Sequence, residues 1–153
     1  MSSENRQTGI FVATMTGLAD MCAEEIESAI AGAGMECQRF LMDGLGADAF
    51  RPFGRIIIVS STYGQGDIPD NGQALYESVT QGADLSGKEY AVFALGDMTY
   101  SGTFCEAGDR WDAALAACHA RRFIDVMRHD ASSGTLAEDV AGEWATGWAA
   151  QIG

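Results

Sequence analysis

The chain alternates short apolar runs with longer amphipathic stretches. Gly9 to Ala13 (GIFVA) is apolar throughout, as are the centres of Arg55 to Ser61 (RIIIVSS) and Tyr90 to Leu95 (YAVFAL). Runs of this length with no polar alternation read as strands covered on both faces. Cys37 to Leu41 (CQRFL) and Arg122 to Met127 (RFIDVM) mix apolar with charged positions and read as strands with one open side. Helical patterns separate these runs. Over 20–33, Cys22, Ile26, Ala29, Ile30 and Ala33 share one face, Glu24, Glu25 and Glu27 lie largely on the other, and Gly34 ends the helix. A loop with three glycines and Pro52 follows the second strand. Pro69 and Asp70 open a helix that turns Leu75 and Val79 inward. Thr103 and Glu106 fit a capping box, which predicts a helix from there to about Cys118. A second box, Thr135 and Glu138, precedes Leu136, Val140, Trp144 and Trp148, spaced as the buried stripe of a last helix.

Five strands alternating with four helices predict an α/β fold of three layers, a parallel sheet with helices on both faces. The first, third and fourth strands belong in the middle. The second and fifth, which carry Gln38, Arg39 and Asp125, belong at the edges. Right-handed crossovers then give the order 2-1-3-4-5. Ligands of such sheets bind where the order reverses, beside the carboxyl ends of strands one and three. With no repeat or linker-like tract, residues 1–153 read as a single domain.

Composition narrows the class. Apolar residues make up 47% of the chain, which fits a packed core. No apolar run approaches the ~20 residues of a membrane span. The start, MSSENRQTGIFVAT, lacks the layout of a secretion signal. Cys22, Cys37, Cys105 and Cys118 form no C-x-x-C pair, and His119 and His129 are not grouped with them. The thiols therefore read as free ones in a reducing, cytoplasmic setting rather than as a metal centre. The net charge of −13 repels nucleic acid and anionic membranes; it serves either plain solubility or steering toward a basic partner, and charge alone does not choose between the two.

The candidate chemistry lies at the strand ends. Strand one runs into Thr14-Met15-Thr16-Gly17-Leu18-Ala19 and then a helix. Hydroxyls and a glycine at a helix N-terminus suit a phosphate, which backbone N–H groups and the helix dipole both favour. The loop has no Lys or Arg and no G-x-x-x-x-G-K-[ST] or G-x-G-x-x-G pattern, so it suits a terminal monophosphate held by neutral groups. Strand three ends in Thr62-Tyr63-Gly64-Gln65-Gly66, preceded by two serines and followed by Asp67. Strand four ends in Leu95-Gly96-Asp97 and continues through Tyr100 to Phe104 and Cys105. A phosphate cradle and two tyrosines at neighbouring strand ends suit a flat heteroaromatic ring with a phosphate tail, since each stacked ring adds about 1 kcal/mol beyond its burial.

The strings SSTYGQGDIPDN at 60–71, ALGDMTY at 94–100 and TFCEAGDRWD at 103–112 resemble the flavodoxin family. So do HD at 129–130 and the tryptophans at 144 and 148. The likeness is greatest to its short-chain, MioC-type members and to the FMN domains of sulfite reductase and cytochrome reductases. It implies noncovalent FMN held by three loops. Thr14, Met15, Thr16, Gly17, Leu18 and Ala19 take the phosphate. Thr62, Tyr63, Gly64, Gln65 and Gly66 form the second loop, with Tyr63 on one face of the ring. Leu95, Gly96, Asp97, Tyr100, Phe104 and Cys105 belong to the third, with Tyr100 on the other face. Asp130 approaches the ribityl chain. Leu18 stands where the family pattern has a hydroxyl residue, and Ser101-Gly102 is one residue longer than in several relatives. The resemblance implies an electron carrier rather than a stand-alone catalyst, with no catalytic acid, base or nucleophile and no metal. It accepts electrons from a basic NAD(P)H-dependent flavodoxin reductase and serves an acceptor that the sequence does not identify. The alternatives are an FMN-dependent quinone or NAD(P)H oxidoreductase and a partner-regulating module without redox chemistry. A phosphorelay receiver shares the strand order but needs acidic residues where Thr14-Met15 and Ser60-Ser61-Thr62 stand.

Overall fold

The computed structural model describes residues 7–62, 66–96 and 105–152. In chain order the elements are β1 (Thr8–Ala13), α1 (Leu18–Gly32), β2 (Cys37–Leu41), β3 (Arg55–Ser60), α2 (Asp70–Thr80), β4 (Glu89–Gly96), α3 (Glu106–Ala117), β5 (Arg121–Arg122), β6 (Met127–Asp130) and α4 (Ala137–Ile152). Short 3-10 turns occupy Ala47–Phe50, within the glycine-rich loop, and Ala131–Ser133. The sheet is parallel in the order β2-β1-β3-β4, with β5 and β6 both lying along β4 in the fifth position. The predicted 2-1-3-4-5 arrangement therefore holds.

Alternation along the central strands builds two cores. Ile10 and Val12, Ile57 and Val59, and Ala91, Phe93 and Leu95 face α1 and α4, where they meet Cys22, Ile26, Ile30, Trp144 and Trp148. Phe11 and Ala13, Ile56 and Ile58, and Tyr90, Val92 and Ala94 face α2 and α3, where they meet Leu75, Val79, Trp111 and Leu115. Every residue of β1 and β3 is buried, as two-sided cover requires. Each such Ile or Phe contributes about 1.5–3 kcal/mol of transfer free energy. At the β2 edge, Arg39 turns to α1 and pairs with Asp20, Glu24 and Glu27.

Four expectations need correction. The last strand is not continuous. Phe123 and Ile124 both pack toward the α1/α4 layer while Val126 packs toward the other. Two consecutive residues of a strand cannot share a face, so pairing stops after Arg122 and resumes at Met127. The α1 stripe is Ala19, Cys22, Ala23, Ile26 and Ile30. Ala29 is half-buried, and Ala33, at the helix end, is exposed. Leu136 precedes α4 and is 61% exposed; the buried stripe is Ala137, Ala141, Trp144, Ala145, Trp148 and Ala149. The second capping box does not mark a helix start, and Thr103 of the first lies outside the described residues. α3 begins at Glu106 behind Cys105, and α4 begins at Ala137. The hydroxyl of Thr135 is instead 3.1 Å from His129 Nε2 and 2.8 Å from Ser133 Oγ.

Candidate functional site

The turn from β1 into α1 is built with few side chains. Gly17 is the residue before the helix and has φ +93°, a left-handed conformation that costs an L-residue about 1–2 kcal/mol. Its N–H donates to Thr14 Oγ1 at 2.9 Å, which folds the turn on itself. The first intrahelical bond runs from Met21 N to Gly17 O. The earlier N–H groups of the first turn therefore have no carbonyl a turn behind them, and Gly17 brings no capping side chain. They leave the helix at its positive end, with Met15 and Thr16 exposed beside them and Thr14 and Leu18 half-buried. Ala19 is buried against the sheet.

The loop is pinned from outside by Asn71, at the start of α2. Its Oδ1 accepts from Thr14 N at 2.9 Å and its Nδ2 donates to Val12 O at 3.2 Å. This reach depends on Gly72. A Cβ there would lie 2.9 Å from Ala13 Cβ and 3.1 Å from Met42 Sδ, so only glycine lets α2 close on the end of β1. The sequence reading gives Asn71 no role. The available signal was an amide in the first turn of the helix that follows the second glycine loop.

The second and third loops are tied to each other at their bases. Thr62 Oγ1 accepts from Ala107 N at 3.3 Å and so caps the first turn of α3 from another segment. Gly66 is buried against Glu106. Leu95 and Gly96 close β4, and their partners in the ladder are His129 and Asp130. Cys105, where the third loop enters α3, is fully buried at φ 56°. Its thiol donates to Ala94 O at 3.5 Å and to His129 O at 3.8 Å. Burial, reinforced by Asp109 and Asp130 and opposed by Arg128 and a hydrogen bond with the His129 backbone, pushes this thiol up to about 12. It stays protonated near neutral pH and acts as a hydrogen-bond donor, not a nucleophile. Asp130 ends β6, paired in the ladder with Gly96. Its Oδ1 accepts from Ser132 N and Ser132 Oγ and so caps the 3-10 turn.

Thr14 to Ala19, Thr62, Gly66, Leu95, Gly96 and Cys105 therefore gather at the carboxyl ends of β1, β3 and β4. Tyr63, Gly64, Gln65, Asp97, Tyr100 and Phe104 lie outside the described residues. A groove of about 930 Å³ between α1 and α4, lined by Glu25, Gly32, Glu138, Gly142, Glu143 and neighbours, includes none of the predicted site residues. Among the described residues no group of three His, Cys, Asp or Glu stands close enough to hold a metal ion, and no helix is long and apolar enough to cross a membrane.

Comparison with known proteins agrees with this geometry. The flavodoxin family model matches residues 10–144. Flavodoxin YqcA of Pectobacterium carotovorum subsp. carotovorum is 35% identical over 144 residues, covering 94% of this chain and 95% of the relative. Protein MioC of Escherichia coli O157:H7 is 31% identical over 136 residues, covering 86% and 88%. The structure of a C101S mutant of flavodoxin from Pseudomonas aeruginosa superposes with a TM-score of 0.86 at 26% identity, covering 95% of this chain and 98% of that one. A sheet of this order thus has its counterpart in sequence and in solved structures: the chain belongs to the flavodoxin family, whose members bind FMN and carry electrons.

Proposed function

We propose that this chain, acting as one domain, carries electrons in the cytoplasm from a basic NAD(P)H-dependent flavodoxin reductase to an acceptor enzyme. FMN, when bound, supplies one- and two-electron transfer at its ring. The observation that carries the reading is the β1–α1 turn: a left-handed Gly17, an uncapped first turn of α1, and a loop pinned by Asn71. Such a donor set is neutral and open, and it fits a terminal phosphate. Thr14, through the free proton of its hydroxyl, and Thr16 are assigned as phosphate donors. Leu18 adds no donor of its own. Tyr63 and Tyr100 are assigned to the two faces of the ring, where they exclude water. Thr62 and Cys105 hold the bases of their loops, and Gly64 and Gly66 are assigned to the second loop. The net charge of −13 opposes further negative charge on anything held there and attracts a basic donor.

The test is simple. Protein purified from cells is yellow, and heating releases FMN. Alone it consumes NAD(P)H slowly. With a flavodoxin reductase added it is reduced rapidly, at a rate that falls as salt rises. Release of FAD or of an adenine compound would remove the reading. Rapid NAD(P)H oxidation without a reductase would replace it with the quinone or NAD(P)H oxidoreductase alternative.

A further inference from the structure

The layer formed by α1 and α4 carries charge of one sign. α1 holds Asp20, Glu24, Glu25 and Glu27, α4 holds Glu138, Asp139 and Glu143, and neither helix holds a Lys, Arg or His. These carboxylates divide by direction. Asp20, Glu24 and Glu27 turn to the β2 edge, where Arg39 pairs with all three. Glu25, Glu138, Asp139 and Glu143 line the groove between the two helices. Among the described residues none of these four has an ion-pair partner. Glu138 and Glu25 both act on the buried Cys22 thiol, so the two walls bring their charge to one level.

Beyond the carboxylates the groove is lined by small residues, Gly32 and Ala33 from α1 and Gly147 and Ala150 from α4. Glycine is the poorest helix former after proline, and inside a helix it usually answers to a left-handed backbone or a close neighbour. Neither reason holds here. Gly32 and Gly147 lack a left-handed φ, and a Cβ on either would meet nothing within 4 Å. At Gly142 an added Cβ would lie 3.6 Å from Glu25 Cβ, an ordinary contact. The fold itself would accept alanine at all three. What these glycines preserve is the open groove, about 930 Å³ in volume. It follows α4 from Glu138 to Ala150, about 18 Å of helix axis.

We propose that this groove docks an amphipathic helix of a partner protein, with Lys or Arg at one end of its docked face and apolar side chains at the other. α1 and α4 both return from the carboxyl to the amino end of a parallel sheet, so they flank a straight channel. A third helix packs into a channel of that kind, its side chains seated between theirs. The unpaired carboxylates meet its basic end, and the glycines let its apolar end approach closely. Other occupants match less of the surface. A strand finds no free ladder, because the backbone of both walls is bonded within its own helix. A second copy would bring the same uncompensated charge. A polyamine would meet the carboxylates and leave the small-residue half uncovered. The groove includes none of the residues assigned to FMN, so the inference goes beyond the electron-carrier reading and does not depend on it.

The probe is a fluorescein-labelled peptide of about 18 residues, long enough to hold a helix, with Leu and Ala along one face and Lys clustered at one end. A control peptide has the same composition with its Leu scattered around the helix. Fluorescence anisotropy reads their affinity for the full-length protein. The parent should bind the patterned peptide at least about tenfold more tightly than the scattered one. Gly147→Leu and, on the opposite wall, Gly32→Leu fill the groove from open space and should each weaken binding by about tenfold. Glu25→Gln combined with Glu143→Gln, both outside the first turns of their helices, should weaken it by a similar factor and flatten its salt dependence. This charge variant keeps the test open should a leucine variant fail to fold. FMN content should be the same in the parent and in every variant. Equal binding of the two peptides overturns the proposal, since charge alone would then account for it. So does parental affinity in both leucine variants. A dimer in sedimentation velocity that Gly147→Leu abolishes would seat a second copy in the groove and overturn it as well.

Discussion

The two ends of the sheet are built on opposite plans. At the amino end one row of residues runs Thr8, Arg55, Glu89, Arg121 across neighbouring strands. Arg55 Nε donates to Glu89 Oε1 at 3.1 Å, Arg121 Nη2 donates to Glu89 Oε2 at 3.1 Å, and Arg55 Nη1 lies 3.4 Å from Thr8 Oγ1. The Arg55 and Glu89 side chains are only 6% and 8% exposed, and the guanidinium stands 5.9 Å from the Phe123 ring centre. Beside this row Lys88 Nζ donates to the carbonyls of Arg51 and Phe53. Charge there is spent on charge. At the carboxyl end an ion pair is also present, Arg128 with Asp109, but both its side chains are exposed, and the loop bases are held by neutral hydrogen bonds: Asn71 to the β1 end, Thr62 to α3, Cys105 to two carbonyls. They hold loops in place and leave the outward N–H groups of the α1 turn available. One end carries stability and the other carries shape.

That contrast can be broken deliberately. The largest effect is expected for Glu89→Ala. Removing the shared carboxylate strands a buried Arg55 and should lower the unfolding free energy by about 3–5 kcal/mol, measured by urea titration. The fraction that stays folded should bind FMN as the parent does. Asn71→Leu should do the reverse. It should weaken FMN binding by about tenfold or more while costing about 1–2 kcal/mol of stability for two modest hydrogen bonds. Gly17→Ala should cost about 1–2 kcal/mol through its left-handed backbone alone, since open space surrounds the added methyl, and should also weaken FMN binding. Thr62→Val removes the cap that α3 borrows from the second loop and should cost about 1 kcal/mol, visible as faster amide exchange in Glu106 and Ala107.

The smallest effect near neutral pH belongs to the thiols. Burial, then Glu138 and Glu25, pushes Cys22 up to about 12; burial and then Glu27 push the half-buried Cys37 up to about 11. A thiol whose folded value exceeds its unfolded one adds stability that is complete below the unfolded value and is lost as pH rises through the folded one. The urea midpoint should therefore stay level to about pH 8 and decline between about pH 9 and 12, from 9.0 as the unfolded value. Alkylation at pH 8 should reach Cys37 first and leave Cys22 and Cys105 intact. Equal rates for all three would contradict the burial that these shifts rest on.

Much of this was legible in the chain. The two-sided burial of β1, β3 and β4 is written in unbroken apolar runs, and charges in β2 put it at an edge, so the strand order followed. The break between β5 and β6 was not legible. Phe123-Ile124-Asp125 looks like strand until the α1/α4 layer claims two neighbours at once. The second capping box misled for a related reason. The contacts actually made come from other segments: Thr62 reaches α3 across 45 positions, and Thr135 turns back to His129. In the site, the strand-to-helix turn at Gly17 could be placed from local pattern alone. Asn71 could not, because its reach to β1 exists only once Gly72 lets two layers touch.

The interruption at Phe123–Val126 also bears on how the molecule meets its own kind. A sheet margin with a long open ladder invites a neighbouring chain to zip onto it. Here the outer rung is cut into stubs of two and four residues, with the Asp125 side chain 99% exposed in the gap. At this edge, unlike the β2 edge, a second copy would find no continuous row of backbone groups to pair with, and would meet a carboxylate in the middle of its approach. Closing that gap into one smooth strand would therefore be expected to give copies of the chain a second margin on which to pair.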